Sequence, residues 1–201
     1  MNCVCNLLES YEGAVMTRVP LIKKQDLPQE KQHLYESISS SREHVARPFE
    51  ALLNSPDVAS KVAMLGEQLR YLSPTISPEI REIITLTIAK VFNCQYVWTH
   101  HCETAKEIGL RTEVIEAIKK GGPPRRLMPK EAVFIQFTKE ILEEKAVRSP
   151  TYAAVEHLLG QQATVDLIVS IGYYTMMCIS INALDLELEE GIEPIPLNDE
   201  D

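Results

Sequence analysis

A chain of 201 residues is long enough for one domain with a substantial core. Its 45% hydrophobic and 24% charged content is that of an ordinary soluble protein. The net charge of −9 is unevenly spread, because eight acidic and no basic residues lie from Asp185 to Asp201, leaving the remainder at −1; with no basic stripe, nucleic acid is not an expected partner, and the acidic tail reads as solvated chain.

Residues 1–26 form no clear element and read as an N-terminal extension or an arm onto a neighbouring subunit. A first helix opens at Pro28, since proline suits the first helical position, and carries Leu34, Tyr35 and Ile38 on one side. Ser39-Ser40-Ser41 and Arg47-Pro48 break it, and a short helical piece follows over Phe49–Leu53. Ser55-Pro56 is a helix start, serine as N-cap and proline at N1. From there Val58, Val62, Leu65, Leu69 and Leu72 keep helical spacing to about Tyr71. Ser77-Pro78 repeats the device. The helix it opens, to about Phe92, has Ile80, Ile83, Ile84, Thr87, Ile88 and Val91 on one face and Leu86 and Ala89 beside Glu82 on the other. Two apolar faces mark a central, mostly buried helix.

The next helix runs from about Cys94 to Ile108 and is closed by Gly109. At ~100° per residue, Cys94, Val97, Trp98, His101, Ala105 and Ile108 share one stripe. A titratable group on such a stripe needs a hydrogen-bonding partner, and Glu82 on the preceding helix is the nearest candidate. His100 lies roughly 100° round the helix from His101 and is expected at the surface or at a subunit contact. Arg81 reads as a surface or subunit ion pair.

Val114, Ile115 and Ile118 mark a short helix ended by Gly121-Gly122. Pro123-Pro124-Arg125-Arg126 is the most irregular segment, a loop placed to border a pocket. Helices resume from Pro129 to about Lys145, from Ser149-Pro150 to about Leu159, and from about Gln162 to Leu184. Leu167–Leu184 is uncharged over 18 residues, the length of a membrane span. Ser170, Gly172, Thr175, Ser180 and Asn182 interrupt it, so a core or oligomer-seam helix is expected and no membrane partner. No strand-like alternation and no repeat is present. The five cysteines, Cys3, Cys5, Cys94, Cys102 and Cys178, are odd in number and lack framework spacing, which points to a reducing, cytoplasmic setting. The N-terminus lacks the basic-then-apolar order of a secretory signal. Cys3-Val4-Cys5 has metal-binding chemistry, but a frayed terminus is the preferred reading.

The order Glu82, eleven residues, Cys94, two residues, Val97, three residues, His101 resembles the alkylhydroperoxidase D pattern Glu-x11-Cys-x2-Cys-x3-His. Tyr96-Val97-Trp98-Thr99-His100-His101, then Ala105 and Gly109-Leu110, resembles the Y-E-W-x-x-H…A…G-L run of carboxymuconolactone decarboxylases. These are two branches of one superfamily, and the resemblance spans about Leu34 to Leu188, including Ser55-Pro56-Asp57-Val58 and Gly172-Tyr173-Tyr174. Val97 stands where the first pattern has its second cysteine and where the second has a glutamate before tryptophan. The two-thiol centre of the peroxidase branch is thus incomplete, and the chain looks closer to the decarboxylase branch. The resemblance implies an all-α, alkylhydroperoxidase D-like bundle of about seven to eight helices over residues 27–188, an acidic tail over 189–201, and assembly into trimers or hexamers.

It also implies a cofactor-independent lyase for a small unsaturated carboxylic acid or lactone, with no metal. Loss of carbon dioxide leaves electron density that must be protonated, work suited to histidine. His101 takes that role, with Glu82 fixing its tautomer and strengthening it as a base. Trp98, Tyr96 and Val97 would wall the substrate pocket. Three other readings compete. Cys94, near a helix start that favours thiolate, would serve a single-cysteine hydroperoxide reductase. Cys94, His100, His101 and Cys102 offer zinc-binding chemistry at poor spacing. A non-catalytic oligomeric binding protein is compatible with any fold. As a small buried hydrophobe, Cys94 needs no function at all.

Overall fold

The computed structural model describes residues 17–40, 44–72, 75–121 and 127–198. Met1–Met16 with Cys3 and Cys5, Ser41, Gly122 and the expected loop Pro123–Arg126 lie outside the described residues. Within them, after two short 3-10 turns at Lys24–Asp26 and Gln29–Lys31, come nine α-helices and no strand: α1 Gln32–Ser39, α2 Arg47–Leu52, α3 Pro56–Glu67, α4 Pro78–Val91, α5 Gln95–Glu107, α6 Thr112–Lys120, α7 Pro129–Lys139, α8 Ser149–Leu159 and α9 Gln161–Leu184. The fold is all-α, as expected. The six-residue α2 and the short α1 account for nine helices rather than seven to eight.

The starts follow local chemistry. Proline occupies the first turn of α2, α3, α4, α7 and α8, where its missing N–H costs nothing. Ser77 caps α4 by accepting from the Ile80 amide. Ser55 sits at the N-cap of α3 without a side-chain bond. Gly121 ends α6 in the left-handed conformation, φ 66°, which glycine enters without steric cost. Two helices widen into π turns at their C-terminal ends, α3 at Gln68–Leu72 and α7 at Glu140–Glu144.

The hub is α4, which packs against α5, α6, α7 and α9. Every residue from Glu82 to Ala89 is buried, the structural form of its two apolar faces. Each fully buried leucine or isoleucine there stabilises the fold by about 1.5–3 kcal/mol. Its polar members are tied locally: the Thr85 and Thr87 hydroxyls donate to carbonyls four residues back. Arg81 donates to the Ile76 carbonyl at 3.2 Å from a half-buried position.

α9 is long and apolar enough to cross a membrane by length and composition alone, yet here it packs on α2, α4 and α8. Leu167, Ile171, Cys178 and Ile181 are buried, while Val165, Ile168, Val169, Met176 and Ile179 are exposed on the other side.

The described residues that flank the helices pack on them. Residues 17–23 lie on their own domain, through Arg18 N–H to the Leu184 carbonyl and Ile22 N–H to the Glu50 carbonyl. The acidic tail, expected as solvated chain, is a strap as far as residue 198. Leu186 and Leu197 are buried, Arg47 donates to the Glu187 and Leu188 carbonyls, and Lys90 donates to the Leu197 carbonyl and the Asn198 side chain. Gln95 and Thr99 of α5 hold the backbone of Ile195.

Candidate functional site

α4 and α5 meet so that Glu82 and His101 face each other. His101 Nδ1 and Glu82 Oε2 are 2.6 Å apart. The Glu82 side chain is 3% exposed and that of His101 13%. An ionised Glu82 is acceptor-only, so Nδ1 carries the shared proton and Nε2 is left free for chemistry. Burial alone would raise the Glu82 pKa. His101, Arg70 and Arg81 outweigh it and hold the carboxyl below its ordinary range.

Arg70, on the π turn after α3, brings Nη2 to 3.8 Å from Glu82 Oε1 and donates from Nη1 to the Tyr174 hydroxyl at 2.9 Å. Burial pushes the Tyr174 pKa up, so it remains a neutral phenol. Its ring meets the His101 imidazole edge-on, centroids 5.4 Å apart, and Tyr173 packs edge-on against it at 5.3 Å. Tyr173 fits because residue 66 is glycine: a Cβ there would lie 2.2 Å from the Tyr173 hydroxyl.

These groups border an open cavity of about 810 Å³, within the usual range for a small-molecule site. Tyr96 and Val97 line it, as do His101, Arg70, Tyr174, Met177 and Ile181. Trp98 does not. It is 1% exposed, packed in the core, with no acceptor for its indole N–H among the described residues; the wide stripe that placed it beside His101 faces the interior as well as the cavity. His100 also differs from expectation, because it lines the same cavity. Its Nε2 lies 2.9 Å from Glu189 Oε2, and Tyr96 donates its hydroxyl to Glu189 Oε1 at 2.6 Å. The Tyr96 and His100 rings pack with centroids 4.6 Å apart, tilted by 49°. Burial works against the Glu189 charge, but hydrogen bonds led by Tyr96 keep its pKa lowered.

Sequence reasoning missed Arg70, Tyr174 and Glu189. Only Tyr173-Tyr174 carried a signal, as part of the late family-like run. Cys94 occupies the N-cap of α5 and is fully buried; it is not among the residues that line the cavity. Cys102, on the same helix, is also buried, and burial pushes its pKa up to about 12. No three His, Cys, Asp or Glu side chains gather as a metal site among the described residues.

The fold is an all-helical bundle of the alkylhydroperoxidase D-like type. Among solved structures, the chain is similar to the alkylhydroperoxidase AhpD core of an uncharacterized peroxidase-related protein from Ralstonia eutropha JMP134, with TM-score 0.69 and 14% identity over 91% of this chain and 94% of that one. It is similar to an uncharacterized peroxidase-related protein from Silicibacter sp. TM1040, with TM-score 0.70 and 14% identity over 90% and 96%. A third is a cysteine-to-alanine variant of the debrominase Bmp8 in complex with 2,3,4-tribromopyrrole, with TM-score 0.69 and 13% identity over 89% and 95%. At such identities the likeness is one of fold. No curated protein matches by sequence. Residues 56–140, which contain Glu82 and His101, match the carboxymuconolactone decarboxylase family. That segment is less than half of the chain, and the solved structures share its fold.

Proposed function

We propose that the cavity is the active site of a cofactor-independent lyase acting on a small unsaturated carboxylic acid or lactone, of which carboxymuconolactone is the type. The observation that carries this reading is the His101–Glu82 pair at 2.6 Å on the cavity wall, with Nε2 free to face a ligand. Arg70 beside it supplies a permanent cation for the substrate carboxylate. The carboxylate departs as carbon dioxide, and its bonding electrons pass into the conjugated carbonyl. His101 Nε2, which has first taken a proton from solvent, delivers it to that carbon and returns to its Nδ1-protonated form. Glu82 stabilises the imidazolium and fixes its tautomer. Tyr96 and Val97 shape the pocket.

Assembly into a homo-oligomer, trimer or hexamer, belongs to the same proposal and is supported by the exposed apolar side of α9, where Val165 is 52% and Ile179 50% exposed. A cytoplasmic setting agrees with the free thiols of Cys94, Cys102 and Cys178.

The test is carbon dioxide release from a panel of carboxylated lactones and unsaturated acids, carboxymuconolactone first. The expected result is turnover that His101→Gln abolishes and Cys94→Ser leaves largely intact. Turnover that survives His101→Gln, or an inert panel alongside conversion of a hydroperoxide or of 2,3,4-tribromopyrrole, overturns the reading.

A further inference from the structure

Two ionised groups of opposite sign line the cavity and come from different parts of the chain. Arg70, on the π turn after α3, lies beside Glu82 and bonds Tyr174. Glu189, on the C-terminal strap, bonds Tyr96 and His100. The proposed reaction uses the first group and leaves the second idle.

Glu189 is aimed as well as held. Leu186 is buried three residues before it, and Arg47 donates to the Glu187 and Leu188 carbonyls, so the strap is fixed immediately ahead of it. Each carboxylate oxygen takes one donor, the Tyr96 hydroxyl at 2.6 Å on Oε1 and His100 Nε2 at 2.9 Å on Oε2. Burial works against the charge, and the Tyr96 and His100 bonds maintain it. An ionised carboxylate offers about four acceptor positions, so two bonds orient it and leave half of its capacity. The side chain is 28% exposed and lines the cavity, so a ligand there can reach what is left.

The surrounding charge decides which donor fits. Among the described residues that line the cavity, Glu103, Glu107 and Glu189 are acidic, and Arg70 is the one lysine or arginine. Arg70 is itself shared with Glu82. Arg47 turns Nη1 to the strap carbonyls and lines a neighbouring recess instead. This balance disfavours a ligand that carries negative charge alone. A protonated amine adds Coulomb attraction to the hydrogen bond that a hydroxyl would also make.

We propose that Glu189 is a specificity-determining residue, and that the cavity takes a small unsaturated acid bearing a protonated amine. The carboxylate lies toward Arg70 and the ammonium donates to Glu189, which Tyr96 and His100 position. The inference rests on the cavity being the carboxylate-binding site proposed above, but not on which bond is broken there.

The experiment is calorimetric titration of the full chain near neutral pH with matched acids whose far end is an amine, a hydroxyl or a methyl group. The probes are 4-aminocrotonate, 4-hydroxycrotonate and crotonate, and the corresponding hex-2-enoates to vary the span. At one of the two lengths the amine should bind about tenfold or more tighter than the methyl acid, the low end for a hydrogen bond to a charged group, with the hydroxyl between them. Glu189→Gln should bring the amine down to the affinity of the hydroxyl and leave the methyl acid unchanged. If Glu189 only latches the strap, the same variant weakens all three probes alike. That uniform loss, an amine no tighter than the methyl acid at both lengths, or an amine preference that persists in Glu189→Gln overturns the proposal. The comparison of probes on the unaltered chain stands whatever the variant does to folding. Amine preference without carbon dioxide release would sink the lyase reading alone, and turnover of simple unsaturated acids without amine preference would sink this inference alone.

Discussion

His100 and His101 are neighbours in sequence, line one cavity and each bond a carboxylate, yet the two pairs are built differently. Glu82 comes from the central helix, is 3% exposed and is shared with Arg70. Glu189 comes from the C-terminal strap, is 28% exposed and is shared with Tyr96. A charge in the core must be paired to be tolerated, so the His101 pair is tied to the stability of the fold. The His100 pair is an addition from outside, held in place by backbone contacts of the strap. One pair lies within the core; the other joins the strap to α5 at its edge.

His101→Gln is the sharpest way to separate them. It should lower turnover by about 10²–10⁴-fold, the usual contribution of a general acid or base, while the far-ultraviolet circular dichroism stays native. A matching loss for His100→Gln with His101→Gln harmless would reverse the comparison.

Glu82→Ala should cost about 3–5 kcal/mol in urea unfolding, because it strands Arg70 and His101 beside an apolar helix. The pH dependence arises from the same carboxylate. A carboxyl whose folded pKa is lowered stabilises fully above its unfolded value, here 4.5, and that contribution is lost as pH falls through the folded value. Stability is therefore expected to hold above that value and decline on acidification, with a shallower decline in Glu82→Gln. Glu140, buried in the α7 π turn, adds in the same direction: hydrogen bonds from Gln136, the Arg148 amide and Thr151 overcome the burial that would raise it.

Gly66→Ala reaches the His101 side from behind. Its Cβ would press on the Tyr173 hydroxyl, and the displacement should cost about 1–3 kcal/mol, the usual penalty of overpacking. Tyr174 should shift with its neighbour, so KM is expected to rise in Gly66→Ala. The smallest effect on stability is that of Glu189→Gln itself. A part-exposed pair contributes about 0–1 kcal/mol, so the melting curve should hardly move, and histidine NMR should show His100 altered with His101 unchanged. An equal response at both rings would mean that the pairs are not separable.

How much of this is legible in the sequence depends on the range of the interactions. Helix starts such as Ser77-Pro78 are local signals, and the burial of Glu82–Ala89 comes from apolar spacing on both faces. The approach of Glu82 to His101 joins consecutive helices, so periodicity suffices to pair them. Glu189 reaches His100 across 89 positions, and Arg70 reaches Tyr174 across 104; no spacing rule links such segments. The strap also lacks regular structure, so its acidic composition suggests solvation while Leu186 and Leu197 anchor it. Trp98 is assigned to the pocket because a stripe about 100° wide does not distinguish core from cavity.

The π turn at Gln68–Leu72 has a consequence measured in chain length. A π turn holds more residues than an α turn, and such turns commonly derive their use from the side chain they redirect. Deleting one residue there would let α3 continue as ordinary helix and rotate the residues after it by about 100°. Arg70 would swing away from Glu82 although every chemical group in the cavity remained in the sequence. The site therefore depends on a residue count as well as on residue identities, and a one-residue gap in α3 would separate chains that keep the cation over the carboxylate from chains that have lost it.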